Sequence, residues 1–220
     1  MRLPLRRSRL VWVALAAILV IAAGVTWSLT APLRHPSPEA RDMEGNAVAL
    51  DPGTLPSAKL QQQMHPVAET GERFRVPAVG LDVPLGRISV AGGQLTPPGF
   101  TSVYAVRNLG TTPAAPSKGT VYVVTHSLRG GGRAPGNYLT DVTDQKAAVR
   151  AGEAVFVGST EYTVTGAQLV RRGDIGAQTA LWTDTPNRLA VITCLEKPSG
   201  APSTDNLIIY ASLVTPTPGP

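Results

Sequence analysis

Cysteine is almost missing: Cys194 is the only one in 220 residues. No internal disulfide is possible, and one thiol with three scattered histidines does not make a structural zinc site. Charged residues are sparse at 16%, while 22 glycines and 20 prolines punctuate the chain. That mix disfavours a helical bundle and favours a turn-rich β protein. Nucleotide motifs are absent too. There is no G-x-x-x-x-G-K and no G-x-G-x-x-G, and the GGG at 130–132 lacks a strand-to-helix setting. The G-x-S-x-G serine elbow and the papain-type C-G-[SA]-C-[WY] signature are also missing. Acidic residues are too dispersed for a calcium site, which needs several oxygens together. No metal or other cofactor is expected.

The formal charge of +5 is partly local, because Arg2, Arg6, Arg7 and Arg9 precede position 10. From Glu72 onward 13 basic and 10 acidic residues leave only +3, with none of the basic striping of a nucleic-acid binder. Residues 10–30 (LVWVALAAILVIAAGVTWSLT) are uncharged and long enough to cross a bilayer as a helix. The preceding arginines set residues 1–9 in the cytoplasm, and Trp12 and Trp27 fall near the two interfaces. A cleaved signal peptide would have an apolar core of roughly 7–15 residues followed by a small-x-small site. Neither is seen, so 10–30 reads as a transmembrane anchor with the remainder exported. Residues 31–70, with six prolines and a QQQ run, read as a linker, and the tail 215–220 reads as disordered.

Between 72 and 214 short apolar or alternating runs are separated by Gly, Pro, Asn and Asp. Strands are expected at 72–78, 82–90, 102–108, 119–126, 153–158, 161–170, 188–194 and 206–214. Helical turns are expected within 138–150 and 174–182. Eight strands in about 145 residues suggest a closed barrel, since closure removes exposed edges.

Two residues stand at strand ends. His126 finishes GTVYVVTH and precedes the glycine-rich SLRGGGRAPG, whereas His35 and His65 lie in the linker. Cys194 finishes RLAVITC. An exported lone cysteine is either a reactive thiol or a buried small hydrophobe, and the count alone leaves both open. With His126 it forms a thiol–imidazole hypothesis, in which the ring raises the thiolate population or protonates a leaving amine. Trp182 lines the groove or fills the core.

Several segments in order resemble the sortases, most closely the class F-like enzymes of actinobacteria. RFRVPAVGLDVPLG (73–86) resembles the family's first strands, and GTVYVVTHS (119–127) its histidine strand. NYLTDV (137–142), VRAGEAVFV (149–157) and DNLIIYA (205–211) follow in family order. AVITC (190–194) resembles T-L-x-T-C, keeping Thr193 and Cys194 but with Ala190 and Val191 where Thr and Leu are usual. The resemblance implies a mainly β, eight-stranded barrel with one or two short helices. It also implies a membrane-anchored cysteine transpeptidase facing the cell exterior, acting on secreted proteins that carry a C-terminal LPxTG-type signal. Cys194 would cleave the Thr–Gly bond and hold a thioacyl intermediate. His126 would act as general acid and base, and a cell-wall precursor amine or a pilin lysine would resolve the intermediate.

One departure is plain. The family's arginine at the start of the last strand is missing from SGAPSTDNLIIYA (199–211), where Asn206 or Thr204 takes its position. Asn206, Thr204 and Thr193 are therefore the candidates for substrate or oxyanion contact. Thr193 alternates away from Cys194 and suits packing. Arg188 lies six residues from Cys194 on the same strand, and Arg129, Arg133, Arg171 and Arg172 fall in loops that sequence does not place. The missing arginine keeps a second reading alive: a catalytically weak or inactive module that binds peptides in the same groove. Hydrolysis, with water as the only acceptor, is a third.

Overall fold

The expected runs do become strands, in a computed structural model that describes residues 40–48 and 56–215. They are β1 (Arg73–Val76), β2 (Leu81–Ile88), β3 (Val103–Val106), β4 (Thr120–Val124), β5 (Ala154–Val157), β6 (Thr160–Arg171), β7 (Arg188–Leu195) and β8 (Asp205–Leu213). They close into a barrel in the order β1-β2-β3-β4-β7-β8-β6-β5. Phe74 opposite Val157 and Arg75 opposite Phe156 make the seam. Two neighbours are parallel, β2 with β3 and β4 with β7. The anchor expected at 10–30, the N-terminal 1–9 and tail residues 216–220 lie outside the described residues. Among those described, no helix is long and apolar enough to cross a membrane.

Both faces of the β4/β7 wall are covered, which explains why these strands read as continuous apolar runs. Val121, Val123, Leu189 and Val191 point into the barrel, among side chains contributed by all eight strands. The alternate residues Tyr122, Val124, Ala190 and Ile192 face outward and form a second cluster with Tyr104, Met64 and Leu181. The outer cover consists of helix α1 (Ala58–Gln63) and the segment that holds helix α3 (Thr179–Trp182).

Residues 56–70, read above as part of a linker, sit on the barrel. Ser57 caps α1 by accepting from Leu60 N. Met64 is fully buried, Ser89 N donates to Met64 O, and Val67 bridges Arg87. The approach is close enough that a Cβ on Gly86 would lie 2.5 Å from Val67 O and 2.6 Å from the Tyr104 ring. Proline content hid this docking, because one methionine and strand-edge backbone groups supply it.

The turns expected in 138–150 differ. Helix α2 spans Pro135–Leu139, and Thr140–Asp141 then pairs with Lys146–Ala147 as a small hairpin. Asp141 accepts from Asp144 N, and Gln145 turns the chain at φ 51°. An aspartate bonding locally to backbone favours such a turn over helix. The turns expected at 174–182 are present as a 3-10 segment (Arg172–Ala177) followed by α3.

Candidate active site

The parallel pairing of β4 with β7 brings the two chemistry-bearing residues together. Val124 lies opposite Ile192, and Thr125 N continues the ladder to Ile192 O. Two residues further along each strand stand His126 and Cys194, on the outward face that Val124 and Ile192 share. Both line one cavity of about 1040 Å³. Its apolar walls include Leu95, Phe100, Ile175, Trp182 and Ile192. Trp182 fills both of its expected roles: it packs on Tyr122 and also faces the cavity.

What holds His126 in place is the NYL helix, α2. Gly136 N donates to His126 O at 2.8 Å. A Cβ at Gly136 would overlap the hydroxyls of Thr193 and Ser127, so only glycine lets α2 approach this closely. Asn137 then fastens the glycine-rich loop: its Oδ1 accepts from Leu128 N and Ala134 N, and its Nδ2 donates to Leu128 O. Phe100 lies against the imidazole, with ring centroids 4.8 Å apart. His126 Nε2 is 2.9 Å from Pro97 O. A carbonyl can only accept, so Nε2 carries the proton and the neutral ring keeps its lone pair on Nδ1. Burial pushes the imidazole below its ordinary value; the Pro97 bond opposes that shift and the nearby charge of Arg172 adds to it.

Cys194 is free and half-buried. Burial pushes its thiol above the ordinary value, Arg172 pulls it down, and Glu196 pushes it up. The resting pair is therefore a neutral thiol beside a neutral imidazole. Asn206 on β8 is the register partner of Cys194, and Sγ donates to its Oδ1 at 3.9 Å. That contact is long, and turning the amide over would present N–H to a thiolate instead.

The other two candidates are placed differently. Thr193 also lines the cavity, but it is buried and its hydroxyl bonds to Ser127 at 3.0 Å, beneath α2. Thr204 is exposed, donates to the Asp205 carboxylate at 2.7 Å, and is not part of the cavity wall. Arg188 is committed elsewhere: its guanidinium reaches Thr120, Ala180, Leu181, Thr183 and Tyr122. Arg133 pairs with Glu44 at 3.2 Å. Arg172, by contrast, lines the cavity with His126, Cys194 and Asn206. Sequence reasoning left it among four loop arginines, and missed Pro97 and Phe100. Its alternation with Val170 was a legible clue to its face, but the strand's length beyond 170 was not. Among the described residues, no three His, Cys, Asp or Glu side chains converge as a metal set.

No family model matches the chain, and no curated protein matches it. Solved structures do. A lid mutant of sortase A from Corynebacterium diphtheriae is 16% identical, with 73% of this chain and 79% of that chain covered and a TM-score of 0.48. Sortase C-1 from Actinomyces oris is 17% identical over 78% and 89% of the two chains, with a TM-score of 0.47. Sortase C1 from Streptococcus suis is 14% identical over 79% and 90%, with a TM-score of 0.48. The likeness to the class F-like branch rests on the sequence motifs alone. At these identities the likeness to the sortases is one of fold.

Proposed function

We propose that the protein is a sortase-type cysteine transpeptidase that cleaves an LPxTG-type sorting signal and passes the acyl group to an amine. The observation that carries this reading is the meeting of His126 and Cys194 at adjoining parallel strand ends over one cavity with both apolar and polar walls. A peptide's apolar side chains suit the walls made by Leu95, Phe100, Ile175 and Trp182, and its scissile carbonyl would lie at the thiol. As the substrate seats, Cys194 Sγ attacks the carbonyl carbon of the Thr–Gly bond and its proton passes to His126. The tetrahedral intermediate collapses, the C–N bond breaks, and His126 returns the proton to the leaving amine. An acceptor amine then attacks the thioester, Cys194 leaves as the sulfur, and one proton is again relayed through His126. A neutral resting pair suits this order, since the imidazole must first accept and then donate.

The partners proposed are exported proteins bearing the signal, with a cell-wall precursor amine or a pilin lysine as acceptor. The proposed location is the cell membrane, single-pass, with the N-terminus in the cytoplasm and the barrel outside. The uncharged run 10–30 behind four arginines supports this placement.

The raised thiol and the arginine-free last strand favour one rival, a groove that binds the signal without cleaving it. The deciding experiment mixes the full-length chain, in mild detergent, with a quenched LPxTG-type peptide and an amine. Mass spectrometry then follows the products beside a Cys194→Ala control. The expected result is a thioacyl adduct on Cys194 and an amine-capped peptide. Bound but intact peptide, with no adduct across several signal variants, refutes the transpeptidase and selects the rival. Cleavage that ignores the added amine selects hydrolysis.

A further inference from the structure

Acyl transfer places negative charge on the substrate's carbonyl oxygen beside Sγ, and the last strand offers only the neutral Asn206 there. The row across three strands is Cys194 on β7, Asn206 on β8 and Val170 on β6. Two residues beyond Val170, and one past the end of β6, the chain reaches Arg172 at the start of the 3-10 segment. Its backbone is fixed by Arg172 N donating to Thr204 O at 2.9 Å. It lines the cavity that His126, Cys194 and Asn206 also line.

We infer that Arg172, brought in from the end of β6, is the cation that holds the substrate's acyl oxygen over Cys194, with Asn206 as a neutral second donor. This rests on the transpeptidase reading. Two strand spacings, about 10 Å, separate the Cys194 and Arg172 columns. A long arginine side chain on one bank and a substrate peptide on the other fill that gap. The guanidinium is available for the work: among the described residues it makes one hydrogen bond, 3.5 Å from Nη1 to Ser203 O, at the long limit for such a contact. It forms no ion pair among the described residues. The other arginines of the cavity region are worse placed. Arg129 bonds Gly200 O, Arg133 pairs with Glu44, and Arg188 ties down the α3 segment. Arg172 also acts electrostatically on both Cys194 and His126, in agreement with its place in the wall of the cavity that they share. The fold thus replaces a cation on one strand with a cation from the next strand, a substitution that linear alignment hides because the two positions are 34 residues apart (206 minus 172).

Two measurements on the full-length chain test this. The first compares acylation by the LPxTG-type peptide in Arg172→Met, Arg172→Lys, Asn206→Ala and the double variant Arg172→Met/Asn206→Arg. Arg172→Met should lose on the order of 10²–10³ in kcat, as for loss of an oxyanion donor elsewhere. Arg172→Lys should fall between, and Asn206→Ala should lose less. The double variant, which moves the cation to the position opposite Cys194, should regain at least about tenfold over Arg172→Met if charge near the oxygen is what matters. The second needs no substrate: the rate of Cys194 alkylation by anionic iodoacetate is divided by that by neutral iodoacetamide. A cation at the site favours the anion, so the ratio should fall in Arg172→Met and be kept in Arg172→Lys. Wild-type kcat in Arg172→Met, or an unchanged reagent ratio, overturns the inference. If wild type acylates nothing, the transpeptidase reading fails and the reagent ratio alone decides whether the guanidinium stands at Sγ.

Discussion

Replacing Arg188 with Met tests whether the outer cavity wall is held by one guanidinium. Arg188 Nε donates to Thr120 Oγ1 at 3.0 Å, Nη1 to Ala180 O at 2.8 Å, and Nη2 to Leu181 O at 2.7 Å. Nη2 also reaches Tyr122 Oη at 3.4 Å and Thr183 O. Ala180 and Thr183 are exposed, so water replaces the arginine there at little cost. Leu181 and Thr120 are buried, and their acceptors lose a charged donor. Each acceptor keeps a second donor, Tyr122 Oη on Leu181 O and Thr185 N on Thr120 Oγ1, so at roughly 1–1.5 kcal/mol each these two bonds set a loss of about 2–3 kcal/mol. Methionine keeps most of the aliphatic stem, so packing adds little; it loses the guanidinium that lies 5.8 Å from the Tyr210 ring centroid, near the outer limit of a cation–π contact. For a chain of this length the loss corresponds to a Tm fall of roughly 4–12 °C. The damage should be local as well as global, because α3 carries Trp182 and Leu181 over the cavity. Expected together are a lower Tm, greater acrylamide quenching of Trp182 in a Trp12→Phe/Trp27→Phe background, and a raised KM with kcat little changed. An unchanged Tm would refute the energetic reasoning. A lower Tm with Trp182 quenching unaltered would show that the arginine supports the barrel and not the wall.

Other expectations follow from single residues. Tyr162 is fully buried, its hydroxyl has no hydrogen-bond partner among the described residues, and burial pushes it up to about 12. Tyr162→Phe should therefore stabilise the fold by about 1 kcal/mol, read as a Tm rise of a few degrees. Gly136→Ala should displace α2 and with it His126, lowering acylation while Cys194 alkylation stays near wild type; equal acylation would refute the close-packing argument. His126 titrates below its ordinary 6.5 in the fold, so the unfolded chain binds more protons as pH falls below that value. Stability conferred by the neutral ring should thus be present above pH 6.5 and lost downward through the folded pKa, and His126→Gln should remove that part of the slope in denaturant titrations. The thiol titrates above its ordinary 9.0, so substrate-free alkylation of Cys194 by iodoacetamide should keep rising with pH beyond 9; a plateau at neutral pH would contradict a neutral resting thiol.

The sequence by itself determined the strands. Val- and Ile-rich runs bounded by Gly, Pro and Asn leave few alternatives to extended backbone, and eight of them favour closure. It also marked His126 and Cys194, because polar or reactive residues ending apolar strands must open toward solvent or a cleft. Local pattern does not fix which strands are neighbours. The parallel pairing of β4 with β7, formed across more than sixty residues of chain, decided that the imidazole and the thiol share a cavity. The same limit hid the rest of the site. Thr204 and Thr193 stood close to the right positions in the chain; the first is exposed outside the cavity wall, and the second lines the cavity with its hydroxyl bonded to Ser127. Arg172 seemed one of four loop arginines until β6, running on to Arg171, proved to deliver it just past the row of Asn206 and Cys194. Met64 looked like part of a linker until β2 and β3 offered it a place against Tyr104. In each case the missing information was a register between distant strands, a property of hydrogen bonds and packing that no local stretch of residues contains.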